Sequence, residues 1–292
     1  MPLLELLFLA SIWGASFLFL KVGASAFGPI ALICLRVGVA AALLLPVMAR
    51  PALRQQFIRH LGPLALVGLT NSALPFLLFA YGALQLGAGT ESILNATTPM
   101  FTALVAWLWL KAPVTRAQGA GMAIGLVGVA ALVAGRPEGQ AAASPWAYLL
   151  PLGATLCYGV AANVAARRLR GVDAKVVTFG CMFFATVMLL PLLPFAWPAA
   201  TPSLPAWGAA LLLGALCTGF GYILYFRLLA QAGAPFAASV TFVVPIFGMI
   251  WGRLFLDEPI TVAMLAACAV ILLGTALTSG RLRWPRRAPP VA

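Results

Sequence analysis

The two halves of this chain repeat one another. Sliding the sequence by 146 positions sets Gly87 on Gly233, Pro99 on Pro245, Phe101 on Phe247, Pro113 on Pro259, Thr115 on Thr261 and Gly128 on Gly274. A shift of 145 adds Trp13-Gly14 on Tyr158-Gly159, Pro46 on Pro191 and Gly135 on Gly280. The repeated unit is apolar: 63% of the chain is hydrophobic and 8% charged, where soluble chains carry about a quarter charged residues. Stretches of about 20 apolar residues, each long enough to cross a bilayer, are read at 3–21, 29–49, 61–83, 90–110 and 117–135, then at 146–167, 174–196, 206–228, 236–256 and 260–280. They are numbered spans 1 to 10. Five spans per copy force the second copy to insert upside down relative to the first. Secondary transporters share that arrangement and place their substrate site between the repeats. The expected fold is all-α and integral to the membrane: one repeat over 1–137, an inverted one over 146–281, and a basic tail over 282–292.

Charge sets the expected orientation. Loops sharing a side with both termini hold Arg50, Arg54, Arg59, Lys111, Arg116, Arg167, Arg168, Arg170, Lys175 and Arg227, with Arg281, Arg283, Arg286 and Arg287 at the end. The other side holds Lys21, Arg136 and Arg253. Basic loops stay cytoplasmic, so both termini are expected there, in a bacterial-type inner membrane. The +12 charge is therefore a topology signal that favours anionic lipid head groups, and no nucleic-acid partner is read from it. Residues 3–20 before Ala24-Ser25-Ala26 have the outline of a signal peptide. They lack a basic start and carry Glu5, so no cleavage is expected.

The signature loop Lys111-Ala112-Pro113-Val114-Thr115 follows span 4, and its copy Asp257-Glu258-Pro259-Ile260-Thr261 follows span 9. The basic copy falls inside and the acidic one outside, as inversion would select. Trp146, Trp197 and Trp207 read as an interfacial belt at the outer ends of spans 6, 7 and 8. In span 5, Gly121-x-x-x-Gly125 permits close helix approach. Packing within one chain is favoured there over a homodimer seam, and a homodimer stays allowed. Cys34, Cys157, Cys181, Cys217 and Cys268 lie in spans without C-x-x-C spacing and read as small core residues. No metal site or cofactor is expected.

Together these features resemble the drug/metabolite transporter superfamily, specifically its two-EamA-domain proteins. The carriers are Trp13-Gly14-Ala15-Ser16-Phe17, Arg36, Pro99, Pro113-Val114-Thr115 and the glycines of span 5. Tyr158-Gly159, Pro245, Glu258-Pro259-Ile260-Thr261 and Gly274 carry it in the second half. Tyr158 stands where tryptophan is frequent, and Lys111-Ala112 replaces the usual acid before Pro113. The resemblance implies spans 1–4 and 6–9 around a central cavity, spans 5 and 10 outside it, and export of metabolites by alternating access.

Polar groups in apolar spans are costly unless paired or wet, so they nominate the cavity: Ser16, Asn71, Ser72, Asn95, Thr97, Thr98 and Asn163. Trp13, Phe79, Tyr81, Tyr158, Tyr222, Tyr225 and Phe242 are candidates to stack on a substrate. The competing reading is that these groups only join helices. Arg36, the sole charge well inside a span, is read equally as a partner for a substrate carboxylate or as a structural charge. Pro99 and Pro245 are repeat mates expected to bend spans 4 and 9 as hinges. Glu5 and Glu91 sit at helix starts, and Glu91 is read as complementing the dipole of span 4, so no proton relay is read and the energy coupling stays open.

An enzyme would need a clustered constellation of acids, histidines or nucleophiles, and one histidine with six acids supplies none. A channel would need a charged ring or filter, and none is evident. The expected activity is export of small metabolites from the cytoplasm by alternating access, first among them amino acids (aromatic, hydrophobic or neutral) and related compounds. A multidrug carrier and a nucleotide-sugar or sugar-phosphate carrier are the alternatives, the latter disfavoured because phosphate wants several cavity cations.

Overall fold

The computed structural model describes residues 2–135 and 143–282, and they form helices without a strand. The spans run Pro2–Phe27, Pro29–Ala49, Leu61–Ala83, Ala88–Leu110, Arg116–Ala134, Pro145–Arg168, Ala174–Ala196, Leu204–Ala232 and Ala234–Leu256, with the shorter Val262–Thr278 as span 10. The expected boundaries hold to within four residues, except that span 1, read as 3–21, runs on to Phe27. Residues 136–142 between the halves and the basic tail from 283 lie outside the described residues.

The repeat is visible in the packing. Span 1 crosses span 9 where Gly14 meets Phe247, and a Cβ on Gly14 would stand 2.6 Å from that of Phe247. Span 6 crosses span 4 at the mates of those residues: a Cβ on Gly159 would stand 2.8 Å from the Phe101 carbonyl oxygen. Each half thus clasps the other through one conserved crossing. Spans 5 and 10 pair with each other outside this core. A Cβ on Gly274 would lie 2.5 Å from the Gly125 nitrogen, and one on Gly121 would lie 2.6 Å from the Gly274 oxygen. The glycine spacing of span 5 is consumed by this intrachain seam.

The signature loops keep one backbone in both copies. Lys111 and Asp257 both adopt left-handed conformations, at φ 54° and 53°, a region costly for residues with a Cβ. Thr115 then caps span 5 through the Gln118 amide in a capping box, and Thr261 caps span 10 through the Met264 amide. Inversion changed the charge of this loop and not its shape.

Two departures from expectation concern helix interiors. Span 4 breaks after Asn95 and restarts at Thr98, so Pro99 sits in a first helical turn rather than inside a continuous helix. Proline loses nothing there, because the first amides have no intrahelical partner anyway. Span 9 breaks earlier in its register, between Ala237 and Val240, and Pro245 lies within the helix that follows. The bends of the two mates are therefore not symmetric. The second departure is a pair of π-helical segments, Leu69–Ala73 in span 3 and Leu213–Phe220 in span 8. Shifting 69–73 by 146 gives 215–219, so these widened turns are repeat mates.

Candidate functional site

The two π segments face the middle of the molecule, and Arg36 of span 2 joins them there. Its Nε donates to Thr218 Oγ1 at 3.0 Å, and its guanidinium carbon lies 3.6 Å from the Phe76 ring centroid. Thr218 in turn donates to the Leu213 carbonyl at 2.8 Å, a partner five residues back that the π geometry supplies. Arg36 is only 7% exposed and stands within electrostatic range of Tyr158, Tyr222 and Cys217.

Aromatic rings pack around this centre. Trp13 packs at 5.5 Å from Tyr225 and edge-on at 6.1 Å from Tyr222, and its indole N–H donates to the Cys217 carbonyl at 3.1 Å. Phe17 meets Phe79 edge-on at 5.6 Å, and Phe79 lies 6.2 Å from Tyr158. The repeat mates Trp13 and Tyr158 therefore enter one central cluster from spans 1 and 6. Asn71, in the π segment of span 3, lines with Tyr222 a cavity of about 290 Å³. That cavity runs between spans 3, 6, 7 and 8 to Leu169 and Val172, on the face that carries the N-terminus. A second cavity of about 560 Å³ on the same face, between spans 2 and 8, is lined by Arg50, Lys175 and Arg227 over apolar walls, with Phe226 bordering both cavities.

Several sequence candidates fall elsewhere. Tyr81 is 41% exposed near the far end of span 3. Phe242 lies at the N-terminal face under the Arg281 guanidinium, 5.0 Å from its ring centroid. Asn163 donates to the Thr102 and Gly159 carbonyls and so stitches span 6 to span 4. Ser16 and Thr98 back-bond to the Trp13 and Asn95 carbonyls, and Thr97 reaches Thr155 of span 6 at 3.2 Å. Asn163 and Thr97 thus join spans 4 and 6, while Ser16 and Thr98 bond only within their own spans. Asn95 is half-buried beside the break in span 4, and Ser72 is fully buried. Conversely, Thr218 was missed although the rule that nominated Asn71 applies to it equally. Phe76 carried no signal of its own.

On the face opposite the N-terminus one contact joins the halves and another ties span 1 to the loop before span 4. Glu258 accepts from the Ala88 amide at 2.8 Å and the Gly89 amide at 3.2 Å, capping the start of span 4 from the loop after span 9. Lys21 of span 1 donates to the Leu86 carbonyl at 2.9 Å. Beneath them Glu91, read from sequence as a dipole-complementing acid at a helix start, is completely buried.

A model of the EamA-like transporter family matches residues 2–134 and again 145–280. Among curated relatives, a probable terminal-alkyne amino-acid exporter of Streptantibioticus cattleyicolor is 27% identical, covering 94% of this chain and 92% of its own. A probable amino-acid metabolite efflux pump of Salmonella typhimurium is 25% identical, over 90% and 89%. A protein of known crystal structure has the same fold, with a TM-score of 0.65 at 17% identity over 95% of this chain and 96% of that one.

Proposed function

This chain belongs to the EamA-like transporter family of the drug/metabolite transporter superfamily, and on that premise we propose that it exports small amino acids with apolar or neutral side chains by alternating access. Its relatives are transporters, three of them named for amino acids, which places it among transporters rather than enzymes. The observation that carries the reading is the pairing of one buried cation with a cluster of aromatic rings. Arg36 can hold a carboxylate, since a guanidinium offers more donors than the one Thr218 occupies. Trp13, Phe79, Tyr158, Tyr222 and Tyr225 supply ring faces for an apolar side chain, and Asn71 supplies a neutral polar group. A polyanionic sugar nucleotide would meet one cation where it needs several.

With the N-terminus cytoplasmic, as the basic loops favour, the cavity at Asn71 and Tyr222 opens toward the cytoplasm. Substrate would then enter from that side. The multi-pass chain would reside in a bacterial inner membrane.

The test is counterflow in proteoliposomes with a radiolabelled amino-acid panel. Saturable entry that accelerates when unlabelled amino acid is preloaded supports the reading. Entry no faster than in empty liposomes for every member of the panel overturns it.

A further inference from the structure

We propose that Glu91 is a proton-binding carboxyl whose proton holds the face opposite the N-terminus closed. The inference rests on the alternating-access reading and adds to it a linked ion. Glu91 lies in the first turns of span 4, 0% exposed, and neither carboxyl oxygen has a hydrogen-bond donor among the described residues. An ionised carboxylate in that position would be buried without a partner, one of the costliest arrangements a protein can hold. A bound proton removes the charge. Gly82 of span 3 provides the space: a Cβ there would collide with Glu91 Oε1.

The groups that face Glu91 leave its charge unanswered. Spans 1, 3, 6, 9 and 10 pack around this segment. Lys21, from span 1, is the cation in electrostatic range, but the hydrogen bond its ammonium makes goes to the Leu86 carbonyl, and among the described residues it forms no ion pair with Glu91. Glu258, from the loop after span 9, is also in range and brings a second negative charge, already committed to the Ala88 and Gly89 amides. From span 6, Tyr148 is buried in the same cluster as Leu86, Ile93 and Leu94, and span 10 adds the buried thiol of Cys268. Tyr81 of span 3, and Arg253 and Asp257 at the end of span 9, are exposed.

Loss of the proton would set two carboxylates against each other beneath the contact that closes this face. Separating the halves there would admit water to both. The closed form therefore binds the proton more tightly than the open form, and raising the pH favours opening, by at most about tenfold per pH unit for one proton.

Two measurements on the full chain in lipid nanodiscs test this without any substrate. Infrared spectroscopy should show the carbonyl band of a protonated carboxyl in the wild type, and E91Q should lack it. Hydrogen exchange at the Ala88 and Gly89 amides, corrected for intrinsic rates, should rise at least tenfold from about pH 6 to about pH 8. E91Q, locked as the neutral form, should stay protected at both pH values, while E91D should restore the response. No band in the wild type, or exchange that does not change with pH, overturns the proposal, and both are read on the wild type even if a variant fails to fold. An E91Q protein that keeps the wild-type pH response also overturns it. Failed counterflow with intact proton linkage would count against the substrate reading alone.

Discussion

Arg36 shows how far single residues could be read. Its depth in span 2 marked it as costly, and cost implied partners, but the sequence could not say which. Phe76 lies 40 residues on (76 − 36) and Thr218 lies 182 residues on, and no periodicity links them. Tyr81 and Phe242 were nominated by residue type, which is blind to the direction a helix presents; one faces outward and the other meets Arg281. The partners of Arg36 separate its two roles. In T218V the guanidinium loses a buried hydrogen bond, a loss of about 1.5–3 kcal/mol for a charged group. Thermal unfolding in detergent should show that loss. In R36Q the carboxylate partner disappears, so KM for amino acids should rise at least about tenfold, one good charge-assisted contact, while amino-acid amides are unaffected. Equal KM values for R36Q and wild type in the transport assay would return Arg36 to a purely structural role.

At the scale of elements, the duplicated apolar stretches point to the helices and the glycines of span 5 to close packing within the chain, while its partner, span 10, is shown by the structure. Those features are local, or repeat with the period of a helix. The π segments gave no comparable signal. Pro75 follows the π segment of span 3, and its mate is Gly221. Their shared location argues that the widened turn belongs to the fold rather than to either local sequence, and π turns often occur at functional positions. The seam permits a clean separation of stability from transport. Gly274 touches Gly125 backbone on backbone, so G274V should cost several kcal/mol by forcing spans 5 and 10 apart. The yield of folded protein should fall sharply, with KM unchanged in whatever survives. The left-handed Lys111 offers the opposite sign: K111G should raise the melting temperature, by relief of about 1 kcal/mol of backbone strain.

The whole molecule is asymmetric where its sequence is most nearly symmetric. On one face Glu258 caps Ala88 and Gly89, both buried. On the other face the repeat mates are Ala112, which has no carboxylate, and Ala234-Pro235, which are exposed. Pro235 also lacks the amide that Gly89 donates. The carboxylate and the second amide of the clasp are thus both missing from the face where the cavities lie. E258A should free the closed side: spin labels at exposed Leu84 and Val262, in a background without native cysteines, should show a longer-distance population that the parent lacks. Losing two charge-assisted bonds to amides, each about 1.5–3 kcal/mol, is enough to shift the equilibrium at least about tenfold. The converse variant, A112E with P235G, supplies the missing carboxylate and the missing amide together. It should favour closure of the N-terminal face and lower the counterflow rate. Either substitution alone should do little, because a carboxylate without its second amide, or an amide without the carboxylate, does not make the clasp. Double-variant transport equal to that of the single variants would mean that the two faces do not close by the same contact.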